Sequence, residues 1–251
     1  MTSNGVDRNL WMRQFHPAPG AKVRLVCLPH AGGSAPYFLP VSKALSPALD
    51  VLAVQYPGRQ DRRDEPGIDN IAELADAVTD SLLSWADRPI IIFGHSMGAT
   101  LAFEVALRLE AKGIVPLSVF ASGRRAPSRH RDERVHLRSD DDLIREIQSL
   151  SGTQAAVLAD EEILRMVLPA IRSDYKAAES YRYEPGPKLR APIQAHFGVD
   201  DPKVSLDEAR AWEEHTCGPF ELQTYPGGHF YLNQQAGRII EAISAVASSV
   251  S

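Results

Sequence analysis

Residues 89–98 read Pro-Ile-Ile-Ile-Phe-Gly-His-Ser-Met-Gly, an apolar β-branched run ending in a G-x-S-x-G pattern. No other stretch limits the fold as tightly. A helical pattern follows over residues 99–112, so Ser96 stands at a strand-to-helix turn, the setting of a nucleophile elbow. Such a turn holds the serine in a strained backbone conformation, and the residues two before and two after it must be small. Gly94 and Gly98 meet that demand. The strain leaves a hydroxyl projecting at the carboxyl end of a sheet, above a helix N-terminus that favours negative charge. Ser96 is a candidate nucleophile.

Short apolar runs alternate with helical patterns along the chain, which predicts an α/β fold with a mostly parallel central sheet flanked by helices. The strand-like runs are residues 23–29, 51–56, 90–93, 117–122, 193–198 and 222–225, with a further N-terminal strand at 10–16. Helices are expected over 37–45, 70–85, 99–109, 205–215 and 236–246. In the second of these Ile71, Leu74, Val78, Leu82 and Trp85 share one face, with Asp69 or Asn70 as cap. Residues 124–190 break the alternation. They hold an Arg-rich loop, a capped helix from Ser139 through Leu150, and another opening at Asp160 or Glu161 and running to about Tyr175. Between two sheet strands, such an insertion would lie above their carboxyl ends, where open α/β sheets bind ligands. Residues 1–251 are therefore expected to form a single domain carrying a helical lid insertion over about 124–190.

Composition removes several classes of function. A net charge of −5 argues against nucleic acid as a general partner. The 2 cysteines, Cys27 and Cys217, form no metal or redox pattern, and Cys27 reads as a small buried hydrophobe. Residues 1–13 lack a signal-peptide core, and no run approaches a membrane span, so a cytoplasmic location is expected, with no membrane partner.

A serine hydroxyl needs a base to take its proton and a third group to orient that base. In the elbow-bearing fold these follow the serine as acid and then histidine, which sets aside His30 and His95. His229 follows the final strand in Pro226-Gly-Gly-His-Phe230, where two glycines permit a turn back over the sheet. His196, inside a strand, and His215, ending a helix, read as structural. Asp200 and Asp201 both follow the strand 193–198, and consecutive residues there point in opposite directions, so one of the two can reach the imidazole. Backbone N–H donors for an oxyanion are expected from Met97 and from the loop Pro29-His-Ala-Gly-Gly-Ser34, with Ala31 the donor and Gly32 the alternative. No metal is called for.

Five segments together resemble the type II thioesterases of polyketide and nonribosomal peptide biosynthesis, antibiotic pathways among them. They are Pro29–Ser34, Gln55-Tyr-Pro-Gly-Arg59, Gly94–Gly98, Pro169-Ala-Ile-Arg-Ser-Asp-Tyr175 and Pro226–Phe230, and the match extends from about residue 15 to 243. The resemblance implies an α/β-hydrolase that cleaves acyl groups from the phosphopantetheine arm of an acyl or peptidyl carrier protein. It implies no cofactor of its own, since phosphopantetheine arrives on the substrate, and a monomer is expected. Hydrolases that place the acid three residues beyond the strand-ending glycine point to Asp201. Arg59, Arg124 and Arg125, in loops leaving the second and fourth strand runs, become candidates for docking an acidic carrier, with ordinary surface arginines the plain alternative. A carboxylesterase or lipase acting on oxygen esters, and a non-catalytic binding protein on the same fold, are the competing expectations.

Overall fold

The computed structural model describes residues 10–151 and 161–250. Its sheet comprises β1 (Met12–Arg13), β2 (Arg24–Leu28), β3 (Asp50–Val54), β4 (Ile90–His95), β5 (Ser118–Ser122), β6 (Ile193–Gly198) and β7 (Phe220–Tyr225). They run in the order β1-β3-β2-β4-β5-β6-β7. All neighbouring pairs are parallel except the short β1, which pairs antiparallel with β3.

Alternation along the strands builds two apolar layers. Val26, Leu28, Ile90 and Ile92 face α2 (Ile71–Leu83) and α3 (Met97–Ala111). Leu25, Cys27, Ile91 and Phe93 face the layer that includes Leu45 of α1 (Leu39–Leu45) and Ile239 and Ile243 of α7 (Ala236–Ser248). Both faces of β2 and β4 are therefore buried, which is why their sequences read as continuous apolar runs. α2 begins where expected, because the Asn70 side chain accepts from the N–H groups of Ala72 and Glu73 at 2.8 and 3.2 Å.

The insertion between β5 and β6 holds α4 (Asp140–Ser151) and α5 (Glu161–Ser180), and Ser139 accepts the Asp142 N–H as the cap of α4. Leu143 of α4 packs with Val135, Leu168 and Ile171, while Val167 is 38% exposed. Asp160 and the side chain of Leu164 lie outside the described residues.

Several elements differ from expectation, among them α5, which runs five residues beyond Tyr175 to Ser180. The N-terminal strand shrinks to β1, two residues pinned at the sheet edge. The helix expected at 37–45 splits into a 3₁₀ turn, Ala35–Phe38, and α1, because Pro36 and Pro40 each suit a first turn. The one expected at 205–215 becomes α6 (Leu206–Arg210) followed by a 3₁₀ segment, Ala211–His215. β7 begins two residues before the expected start, its outer half exposed at the sheet edge.

β2 has β3 on one side and β4 on the other, so the chain reverses its winding there. The loops after β2, β4, β6 and β7 all leave the carboxyl edge of the sheet, converging beside that switch point.

Candidate active site

Ser96 sits between β4 and α3 at φ 55° and ψ −117°, a left-handed conformation that a non-glycine residue holds only under constraint. The constraint is visible. The Ser96 N–H donates to the Ser122 carbonyl at 2.8 Å, and a Cβ on Gly94 would overlap the Gly98 carbonyl. A Cβ on Gly98 would run into the Leu28 carbonyl of β2. The glycines are required by backbone approaching backbone on both sides of the turn.

The loops after β6 and β7 deliver Asp201 and His229 to this serine. His229 Nε2 lies 3.0 Å from Ser96 Oγ, and His229 Nδ1 lies 2.8 Å from Asp201 Oδ2. An ionised carboxylate can only accept, so Nδ1 carries the proton and Nε2 presents its lone pair to the serine hydroxyl. The other Asp201 oxygen accepts the Lys203 N–H at 2.8 Å, locking the carboxylate plane. The Asp201 side chain is fully buried, whereas Asp200 faces solvent. Gly198 permits the crossing of these two loops, since a Cβ there would strike the carbonyls of Gly227 and Gly228.

Around this hydrogen-bonded chain the site is aromatic. The His95 ring lies 5.2 Å from that of His229, and His30 packs edge-on against Tyr37 and Phe230 at 4.9 and 4.8 Å. Burial, with the charges of His229 and Arg59, pushes the His30 imidazole down to about 3, and burial holds His95 well below its ordinary value. Both rings therefore stay neutral beside His229. His95 Nδ1 is 2.9 Å from Ser122 Oγ, which is 2.7 Å from the Tyr231 hydroxyl. This chain ties the residue before Ser96 to the residue two beyond His229.

Met97 opens α3, so its N–H has no carbonyl one turn earlier to bond. The Ala31 N–H also has no acceptor among the described residues, whereas the Gly32 N–H is taken by Asp174 Oδ2 at 2.7 Å. Of the two loop donors considered, Ala31 alone is free.

The expected docking arginines are corrected. Arg59 is 6% exposed and makes a bidentate ion pair with Asp174 of α5, 2.5 and 2.7 Å. Arg125 is 4% exposed and bonds Glu133, and Arg124 turns inward to Thr100 and the Ala178 carbonyl. Loops that look solvated in sequence are pinned by acids and carbonyls, so Arg59 and Arg125 are buried and Arg124 half-buried. Asp174 itself was not anticipated. Its signal was a charged residue three positions after Ile171, on the buried face of α5.

Among the described residues no group of three or more His, Cys, Asp or Glu side chains is placed to hold a metal ion, and no helix is long and apolar enough to cross a membrane. An apolar pocket between α1 and α7, lined by Cys27, Phe93, Ile239 and Ile240 among others, includes neither Ser96 nor His229.

The chain matches the model of the thioesterase domain over residues 23–246. It is 53% identical over 224 residues to a protein of Streptomyces griseus named "Probable cadicidin biosynthesis thioesterase", covering 89% of this chain but 62% of that protein, less than two thirds of its length. It is 52% identical over 241 residues to thioesterase PikA5 of Streptomyces venezuelae, covering 95% of this chain and 86% of that one. Among solved structures, the type II thioesterase BorB from the borrelidin biosynthetic cluster superposes with a TM-score of 0.91 at 53% identity, covering 98% of this chain and 99% of that one. By sequence and by fold, the chain belongs to the thioesterase family, on an α/β-hydrolase scaffold and among the type II enzymes.

Proposed function

We propose that this enzyme hydrolyses acyl thioesters carried on the phosphopantetheine arm of an acyl or peptidyl carrier protein, through an acyl-enzyme on Ser96. The observation that carries the reading is the hydrogen-bonded chain Ser96–His229–Asp201, 3.0 and 2.8 Å long, beside two backbone N–H groups with no acceptor among the described residues.

In this reading His229 Nε2 takes the Ser96 proton as Oγ attacks the acyl carbonyl carbon. The N–H groups of Met97 and Ala31 receive the oxyanion, a form of stabilisation worth several kcal/mol in related sites, about 3–4 kcal/mol for one donor. Asp201 holds the imidazole in the right tautomer and balances the imidazolium. Collapse breaks the carbon–sulfur bond, and the imidazolium proton goes to the departing thiolate. A water then loses its proton to His229 and attacks the acyl carbonyl, releasing the free acid and restoring Ser96. The chain's own residues supply every proton transfer, so no bound cofactor enters the reaction. α4 and α5 act as the lid over the cleft, and the enzyme works in the cytoplasm as a monomer.

Support for the carrier-bound substrate comes from the type II thioesterases that the fold matches, among them YbtT of the yersiniabactin pathway at TM-score 0.85 and 30% identity. The test compares kcat/KM for a panel of acyl-carrier thioesters with that for nitrophenyl esters of the same acyl chains. The reading predicts higher values for the carrier thioesters and free acid as product. Preference for the oxygen esters would make the enzyme a carboxylesterase instead.

A further inference from the structure

Two segments that mark the sequence, Gln55–Arg59 and Pro169–Tyr175, have no part in the serine–histidine–aspartate chain. In the fold they meet. They meet on the loop that carries Ala31.

Gln55, Tyr56, Arg59 and Asp174 are 1%, 0%, 6% and 1% exposed, and each holds a different point of that loop. The Tyr56 hydroxyl donates to the Pro29 carbonyl at 3.1 Å, at the loop's start. The Gln55 side-chain carbonyl accepts the Ala35 N–H at 3.1 Å, at its end. Between these, Asp174 Oδ2 accepts the Gly32 N–H at 2.7 Å, and Arg59 donates to the Gly33 carbonyl at 3.1 Å. Arg59 and Asp174 fix one another through two hydrogen bonds, and Arg59 is anchored in turn by the Pro57 carbonyl at 3.1 Å. Gly32 takes φ +77°, and a Cβ there would come 2.8 Å from Cγ1 of Ile171, so α5 presses directly on the loop. A buried ion pair is a poor source of net stability, but a bidentate one fixes orientation closely. Its satisfied oxygens and nitrogens are spent on backbone groups flanking Ala31.

We propose that Gln55, Tyr56, Arg59 and Asp174 are positioning residues that preorganise the Ala31 N–H for the oxyanion, and that the lid helix α5 is thereby built into the oxyanion site. Preorganised donors act in the transition state without reorganising, so loosening the frame reduces kcat and leaves ground-state binding alone. A second consequence concerns motion. α5 cannot lift away at Asp174 without releasing the Gly32 N–H, so opening the lid there would loosen the loop that carries Ala31.

This inference rests on the thioesterase reading above, and its test separates the two. Arg59→Lys keeps the buried charge and removes the planar fork. The double variant Arg59→Met/Asp174→Leu replaces the pair by apolar side chains of similar volume, a change that folded proteins commonly tolerate. For each variant, kcat and KM are measured on a short acyl N-acetylcysteamine thioester. Inhibition by the matching trifluoromethyl ketone, which forms an oxyanion on Ser96, is compared with binding of the inert amide analogue, and circular dichroism reports folding. The expected result is a kcat lower by about tenfold in Arg59→Lys and about a hundredfold in the double variant, a KM within about twofold, and ketone inhibition weakened in step with kcat while amide affinity holds. Wild-type kcat and ketone inhibition in folded Arg59→Lys would overturn the proposal. So would equal losses of ketone and amide binding, the mark of a merely structural role. A wild-type enzyme that binds the amide yet neither cleaves the thioester nor responds to the ketone would refute the underlying mechanism instead.

Discussion

Asp201 Oδ2 lies 2.8 Å from His229 Nδ1, while Asp200, one residue earlier, faces solvent on the other side of the same loop. The backbone decides between them. The Asp201 N–H returns to the Gly198 carbonyl at 3.1 Å and its second oxygen takes the Lys203 N–H, a tight turn that aims this carboxylate inward. Asp201→Asn preserves the shape but lets the amide donate to His229, favouring the wrong tautomer. A loss of kcat of about 10³- to 10⁴-fold is expected, with KM little changed. Asp200→Asn should remain within about twofold of wild type. Equal effects at the two positions in steady-state assays would mean that Asp201 does not orient the histidine.

The hydroxyl chain from His95 through Ser122 to Tyr231 gives a second expectation. Tyr231 is 1% exposed, so Tyr231→Phe removes one of the two hydrogen bonds of the buried Ser122 hydroxyl and leaves the one to His95 Nδ1. Chemical denaturation should report a loss of about 1–2 kcal/mol. Because Tyr231 lies two residues beyond His229, kcat should fall severalfold as the His229 loop loses its tether. Unchanged stability would show that the bond to His95 alone satisfies the Ser122 hydroxyl.

Acid should destabilise the fold before the carboxylates titrate. Burial, with Arg238 nearby, pushes His196 down to about 4, and its Nδ1 is 3.0 Å from the Tyr225 hydroxyl. In the unfolded chain the same imidazole takes a proton near its ordinary value of 6.5. The unfolded state thus binds more protons between about pH 6.5 and 4, and stability falls as pH drops through that window. Above it, His196 contributes no pH dependence. Thermal unfolding from pH 8 to 4.5 should show Tm flat, then declining, and His196→Gln should decline less steeply. An identical slope in the variant would remove His196 from the account.

Much of this site was legible because its determinants are local. A β-branched run, a helical pattern and two glycines identify the Ser96 elbow within ten residues, and two more glycines single out His229 among 8 histidines. The choice between Asp200 and Asp201 was not legible from the residues, because alternation says that one points inward and not which. The arginines were misread for a different reason. Arg59 looks like a solvated loop residue until Asp174, 115 positions away, is brought against it. Burial of a charge is decided by a distant partner, and no local pattern near Arg59 announces one. Likewise the prolines at 36 and 40 each suit a helix start, so the residues alone did not say that the helix would divide at Leu39.

The central claim is that Ser96 carries the acyl group during turnover, activated by His229. Rapid quenching of the enzyme with an acyl-carrier thioester, followed by intact-mass and peptide analysis, reads this directly. The expected result is a transient adduct of one acyl group on the peptide containing Ser96, with neither adduct nor hydrolysis in Ser96→Ala. An adduct on another residue, or undiminished hydrolysis by Ser96→Ala, would contradict it.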